Sequence, residues 1–191
     1  MAKKLILASS SPRRQELLNQ AQIPFTVRKA DTNESQITTN ILTDKVTQLA
    51  MLKGREVSFM DDQEVILSAD TVVSFNQQIY GKPKNKKEAI QMLASLSGNV
   101  HDVYTGVTIR SITDELTFVE RTKVEFWPLE KGEIEKYVSS EEPYDKAGAY
   151  GIQSLGALFV KQIVGDYYNV VGLPISRVTR ELRKFDVYSL N

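Results

Sequence analysis

Along this chain, short continuous apolar runs alternate with stretches in which apolar residues recur every three or four positions. Lys4 to Ala8 reads as a buried strand and Ser9 to Ser11 as a tight turn. Pro12-Arg13-Arg14-Gln15-Glu16-Leu17-Leu18 then opens a helix, with Pro suited to the first turn and Ser11 placed as its N-cap. Pro24 to Val27 predicts a second strand, followed by a polar loop from Ala30 to Ser35 that carries Asp31 and Glu34. Between Asn40 and Ser58, Val46, Leu49, Ala50 and Val57 keep helical spacing. Lys53 falls on that same stripe, where its methylenes can lie on apolar surface while the ammonium reaches a cleft.

Glu64 to Ala69 predicts a buried strand ending in Asp70-Thr71, then Val72 to Phe75 and a turn at Asn76 to Gln78. A helix is expected from Lys86 to Leu96, stopped by Ser97-Gly98. Val100 to Ser111 and Leu116 to Trp127 read as two longer strands joined as a hairpin. Glu130 to Ser139 reads as helix, Leu158 to Val164 as strand and Pro174 to Phe185 as a final helix. The mixture predicts an α/β fold, a mixed sheet with flanking helices, with two lobes around a deep cleft within a single domain spanning residues 1–191.

Composition narrows the chemistry. With 24 Lys plus Arg against 24 Asp plus Glu, no overall basic field exists to recruit nucleic acid, so any anion binding must be local. The opening apolar run is shorter than a signal-peptide apolar region and far shorter than a membrane span, so a soluble, cytoplasmic protein without membrane or nucleic-acid partners is expected. There is no cysteine, which removes disulfides, thiolate nucleophiles and Cys-ligated metals. His101 is the single histidine, which excludes a multi-histidine metal site; a packing or hydrogen-bonding role is expected for it. An enzyme of this composition works with carboxylates, lysines, arginines and a hard divalent cation such as magnesium or manganese.

The candidate chemistry fits that restriction. Three hydroxyls and two guanidiniums at a helix N-terminus suit an anion, and phosphate above all. Asp70, delivered by a buried strand, is a candidate general base or metal ligand, and Glu34 is the obvious second carboxylate. Lys82 lies between Gly81 and Pro83, so its backbone is restrained; with Arg13, Arg14 and Lys53 it would supply the charge a polyphosphate needs. Gln153, in a glycine-containing segment, offers a donor and an acceptor for a base edge. Neither GxxxxGK[ST] nor GxGxxG is present.

Together, LILASSSPRRQELL, SADTVV, GKPKNKKEAIQMLASLSG, VYTGV, EPYDKAGAYGIQ and DYYNVVGLPIS resemble, in order, the motifs of the Maf family of nucleoside triphosphate pyrophosphatases. The resemblance implies two lobes around a deep cleft and metal-dependent hydrolysis of a nucleoside triphosphate to the monophosphate and pyrophosphate. It implies that Asp70 activates water, that Ser9, Arg13, Arg14, Lys53 and Lys82 face the phosphates, and that Glu34 shares the metal with Asp70. DKAGAYGIQ is similar to the subgroup acting on dTTP and UTP, in which Arg13, Thr71 and Gln153 match positions linked to substrate choice. Two positions depart: Asn33-Glu34 stands where relatives usually carry Asp-Glu, and Ser154 where they often have Gly. The alternatives are a purine-directed enzyme of the 7-methyl-GTP type and a noncatalytic nucleotide sensor of cell division. Whether the chain forms a homodimer is left open by the sequence.

Overall fold

The computed structural model describes residues 3–190. Its seven-stranded sheet runs in the order β2 (Phe25–Val27), β1 (Lys4–Leu7), β3 (Glu64–Phe75), β5 (Val100–Arg110), β6 (Glu115–Phe126) and β7 (Val160–Val164), with β4 (Gln78–Tyr80) also paired to β3. The chain divides into two compact units, one running through Asp70 and including Thr105–Glu120 and the end of the chain from Gly172, the other made of Thr71–Tyr104 and Arg121–Val171. Three long strands, β3 (Glu64–Phe75), β5 (Val100–Arg110) and β6 (Glu115–Phe126), contribute residues to both.

In the first unit, β1 (Lys4–Leu7) lies parallel to both β2 (Phe25–Val27) and β3, with Leu5 opposite Phe25 and Val65. Parallel neighbours require crossover connections, supplied by α1 (Pro12–Gln20) and α2 (Leu42–Glu56). The paired middles of β1 and β3 are apolar and buried, as in a parallel sheet: Leu5, Ile6, Leu7, Val65, Ile66 and Leu67 are all 3% exposed or less. α6 (Ile175–Leu182) buries Ile175, Val178 and Leu182 at one-turn spacing. Each such side chain contributes about 1.5–3 kcal/mol by leaving water.

β3 differs from its sequence reading in one respect that bears on function. The strand does not end at Asp70 but runs unbroken to Phe75, so the carboxylate is mid-strand. The second unit holds the remainder of β3, which turns through Asn76 and Gln77, both at positive φ (49° and 62°), into antiparallel β4 (Gln78–Tyr80). Paired positive φ values give the two-residue turn that matches strand twist. α3 (Lys86–Leu96) has the bounds predicted from its pattern, with Asn85 Oδ1 capping the Glu88 amide.

α4 (Lys131–Val138) starts with a reciprocal capping box between Glu130 and Glu133. The expected strand from Leu158 begins only at Val160: Leu155–Phe159 is a 3₁₀ turn, and β7 (Val160–Val164) pairs antiparallel with β6. A short α5 (Tyr167–Val171), not read from the sequence, follows. The core of this unit is aromatic, with Phe126 edge-on to His101 and Tyr150, each at 4.8 Å between centroids. Among the described residues, no helix is long and apolar enough to cross a membrane.

Candidate functional site

In the first unit, the strand-to-helix turn after β1 places Ser9 behind the start of α1. Ser9 is buried, and its Oγ accepts from the Ser11 amide at 3.2 Å and from Arg14 Nη1 at 3.1 Å. Ser11 occupies the N-cap position, but its side chain makes no capping bond. The hydroxyl that organises the turn is therefore Ser9, two residues earlier. Arg14 Nε also donates to the Gly172 carbonyl at 2.9 Å, which fixes the guanidinium across the start of the helix. Burial draws Arg14 below its ordinary pKa, partly offset by Asp70 and Glu34 and aggravated by Arg13. Those four influences place two arginines and two carboxylates in one electrostatic neighbourhood.

α2 and β3 set the acidic part. A side chain at Gly54 would bring its Cβ to 2.7 Å from Ser68 Oγ, and Ser68 Oγ donates to the Ala50 carbonyl at 2.7 Å. α2 thus rests on β3 through its two smallest residues. Side chains two apart on a strand share a face, so Asp70 follows Ser68 toward α2, where Lys53, beside Gly54, meets it. Lys53 Nζ lies 2.5 Å from Asp70 Oδ1 and 2.8 Å from Glu34 Oε1. Lys53 and Asp70 are largely buried while Glu34 is 56% exposed, so the bridge runs from the interior to the surface.

Arg110 Nη1 holds the C-terminal end of α2 through the Gly54 carbonyl at 2.9 Å. The loop bearing Glu34 closes as a short 3₁₀ turn, Glu34–Gln36, whose cap is Asn33: its Oδ1 accepts from the Ser35 amide and hydroxyl at 3.2 and 2.6 Å. An asparagine there performs the capping an aspartate would, without adding a charge. Around Asp70 and Glu34 stand three cations, Arg13, Arg14 and Lys53.

The remaining predicted residues belong to the second unit. Thr71 begins its part of β3 and is half-buried; Lys82 is exposed beside buried Pro83. The Gly81 carbonyl accepts from the Gly148 amide at 3.1 Å, so the Lys82 loop is tied to the segment leading to Gln153. Gly148 has φ 71° and packs against Val73, whose atoms a Cβ would approach to 2.9 Å. Only glycine tolerates both conditions at this position. Gln153 is exposed at the tip of its loop.

Sequence reasoning missed the network beneath that loop. Tyr137 and Glu142 bind its backbone, and although Glu142 opens the EPYDKAGAYGIQ stretch, nothing in its spacing marks it. Among the described residues, no group of three or more His, Cys, Asp or Glu side chains could hold a metal. Asp70 and Glu34 form a two-carboxylate set already bridged by a cation, the Lys53 ammonium.

The family described as Maf-like protein matches residues 4–185. Curated proteins named dTTP/UTP pyrophosphatase are similar over nearly the full length. That of Bacillus cereus (strain G9842) is 50% identical over 97% of this chain and 97% of its own. That of Bacillus cytotoxicus (strain DSM 22905 / CIP 110041 / 391-98 / NVH 391-98) is 50% identical over 96% of each. Among solved structures, the Staphylococcus aureus Ham1 protein is matched at a TM-score of 0.44 and 13% identity, over 65% of this chain and 72% of that one, a likeness too weak to argue from.

Proposed function

This chain belongs to the Maf-like protein family, and we propose that it is a nucleoside triphosphate pyrophosphatase that hydrolyses dTTP and UTP to the monophosphate and pyrophosphate. Relatives half identical over almost the whole chain carry that name. The observation that carries the chemistry is the contact of one ammonium with two carboxylates beside paired arginines. Such a place is acidic enough to handle water and cationic enough to accept phosphate.

In the proposed reaction, Asp70 accepts a proton from a water molecule aimed at the α-phosphorus. The water oxygen bonds to that phosphorus, the bond to the α–β bridging oxygen breaks, and pyrophosphate leaves with the electron pair. Arg13, Arg14 and Lys82 neutralise the charge gathering on phosphoryl oxygens, with Ser9 holding Arg14 in place; positioning and electrostatics supply most of the rate. Gln153 and Thr71 are assigned to the pyrimidine end of the substrate.

Asp70 and Glu34 fit a divalent cation, magnesium or manganese, because both are hard oxygen donors and their shared position already accommodates positive charge. Two protein carboxylates, completed by substrate phosphates and water, are the usual magnesium set. When bound, the cation supplies Lewis-acid polarisation of phosphate oxygens. With such a cation on the two carboxylates, Lys53 would be the ammonium available to the phosphates from the same position. A nucleotide substrate accords with a cytoplasmic protein.

The test is product analysis with dTTP, UTP and magnesium in ¹⁸O-labelled water. The expected products are monophosphate and pyrophosphate, with the label in the monophosphate. Orthophosphate as the product, or label in pyrophosphate, overturns the proposed bond cleavage.

A further inference from the structure

The loop that carries Gln153 closes on itself. Gly151 and Gly156 abut so tightly that a Cβ on Gly156 would stand 2.6 Å from the Gly151 carbonyl oxygen and 2.9 Å from its nitrogen. One carboxylate secures the junction. Glu142 Oε1 accepts from the Gly156 amide at 3.2 Å, and Oε2 accepts from the Leu155 amide at 3.2 Å. The Tyr137 hydroxyl donates to Oε1 at 2.9 Å and itself accepts from the Gly151 amide at 3.1 Å. The Ser154 side chain adds a further hydrogen bond to Glu142.

Glu142 is itself held in place. Its amide donates to Ser140 Oγ at 3.3 Å, and its carbonyl accepts from Lys146 Nζ at 2.7 Å. The Lys146 stem also fills the inner side of the loop, where a Cβ on Gly151 would come within 2.5 Å of Lys146 Cε. Burial pushes the Glu142 carboxyl up, but the bonds from Ser154, Gly156, Tyr137 and Leu155 outweigh it and hold the group below the usual range. Burial and Glu142 together push the Tyr137 phenol up, so it stays a donor. Every group around the carboxylate donates, and only an acceptor without N–H of its own satisfies them all.

We propose that Glu142 is a positioning residue for base selection: through the Leu155 and Gly156 amides and through Tyr137 to Gly151, it fixes both sides of the loop and thereby the direction in which Gln153 presents its amide. The inference rests on the assignment of Gln153 to the pyrimidine. Glutamine at 142 keeps the shape but turns N–H donors toward amides that also donate. The loop then loosens, and Gln153 samples orientations that do not match a pyrimidine edge.

The experiment compares kcat/KM on dTTP, UTP and ITP for wild type, Glu142→Gln, Tyr137→Phe, Gln153→Ala and the Glu142→Gln/Gln153→Ala double variant. The dTTP-to-ITP ratio is expected to fall about tenfold in Glu142→Gln, the loss carried by KM, as expected when hydrogen bonds to a charged group are lost. The double variant is expected to discriminate no worse than Gln153→Ala alone, because both changes act through one side chain. Equal losses on all three substrates, or losses that multiply in the double variant, overturn the inference while leaving the functional reading intact. A wild type that turns over neither dTTP nor UTP overturns both. Thermal unfolding checks that each variant folds; if Glu142→Gln does not, Tyr137→Phe, which cuts the link to Gly151, must show the same loss of discrimination, and its absence overturns the proposal.

Discussion

Lys53 shows how much a single position can reveal. Its place on an apolar stripe with Val46, Leu49, Ala50 and Val57 marks it as turned inward, and a lysine so placed must find a counter-charge. The two carboxylates it finds, Asp70 and Glu34, come from segments that spacing alone could not bring together. Ser9 was legible as part of a hydroxyl-rich turn, but its work as acceptor for both the Ser11 amide and Arg14 depends on the fold of the turn. Replacing Lys53 with methionine keeps the stem and removes the charge, leaving Asp70 largely buried without its ammonium. Breaking such a pair is expected to cost about 3 kcal/mol, a fall in Tm of about 6–12 °C. Added magnesium is expected to restore part of it by binding the folded state. Thermal melts with and without the cation check this; a Tm that ignores both changes would show that the bridge bears no part of stability.

At the level of elements, the backbone contacts of α2 matter more than its side chains. Gly54 rests on Ser68, and a Cβ at Gly106 of β5 would stand 2.3 Å from the Val46 carbonyl oxygen. Since that neighbour is backbone, Gly106→Ala must displace α2 and carry Lys53 away from Asp70. A destabilisation of about 1–3 kcal/mol is expected, the usual range for overpacking a core, with turnover falling as well. Urea unfolding together with a dTTP assay checks it; a variant as stable and active as the parent would show that α2 tolerates displacement. α3 was legible to the residue because its cap, apolar stripe and stop agree. β3 was not, because a charged residue in an apolar run resembles an ending, whereas ladder hydrogen bonds are made by the backbone and continue past Asp70 whatever its side chain. The 3₁₀ turns around residues 142–159 have no period to read; tertiary bonds to Glu142 and Tyr137 hold part of them.

For the whole molecule, a net charge of zero means that attraction of a triphosphate rests on where charges gather rather than on their number. The same molecule carries one acid-sensitive point remote in kind from the proposed chemistry. His101 is 1% exposed, packed edge-on between Phe126 and Tyr150, with Nε2 2.9 Å from the Tyr150 hydroxyl. Burial pushes its pKa down to about 4, a fall that nearby Asp102 only partly opposes. Below pH 6.5 the unfolded chain therefore binds a proton that the folded chain refuses. Stability from this group is complete above pH 6.5, declines as pH falls toward 4, and levels off beneath that, a loss of about 3 kcal/mol. Urea midpoints across that window should fall for the parent and flatten in His101→Gln; parallel curves would assign the acid sensitivity elsewhere.

The assignment of Asp70 as the group that takes the proton from water is tested most directly by Asp70→Asn. Asparagine keeps the size and leaves Lys53 its contact with Glu34, but it cannot accept the proton. Single-turnover hydrolysis of dTTP by this variant is expected to slow by at least about 100-fold, the usual weight of a general base, while nucleotide binding changes far less. A rate within about threefold of the parent would contradict the assignment, since a general base carries far more than that.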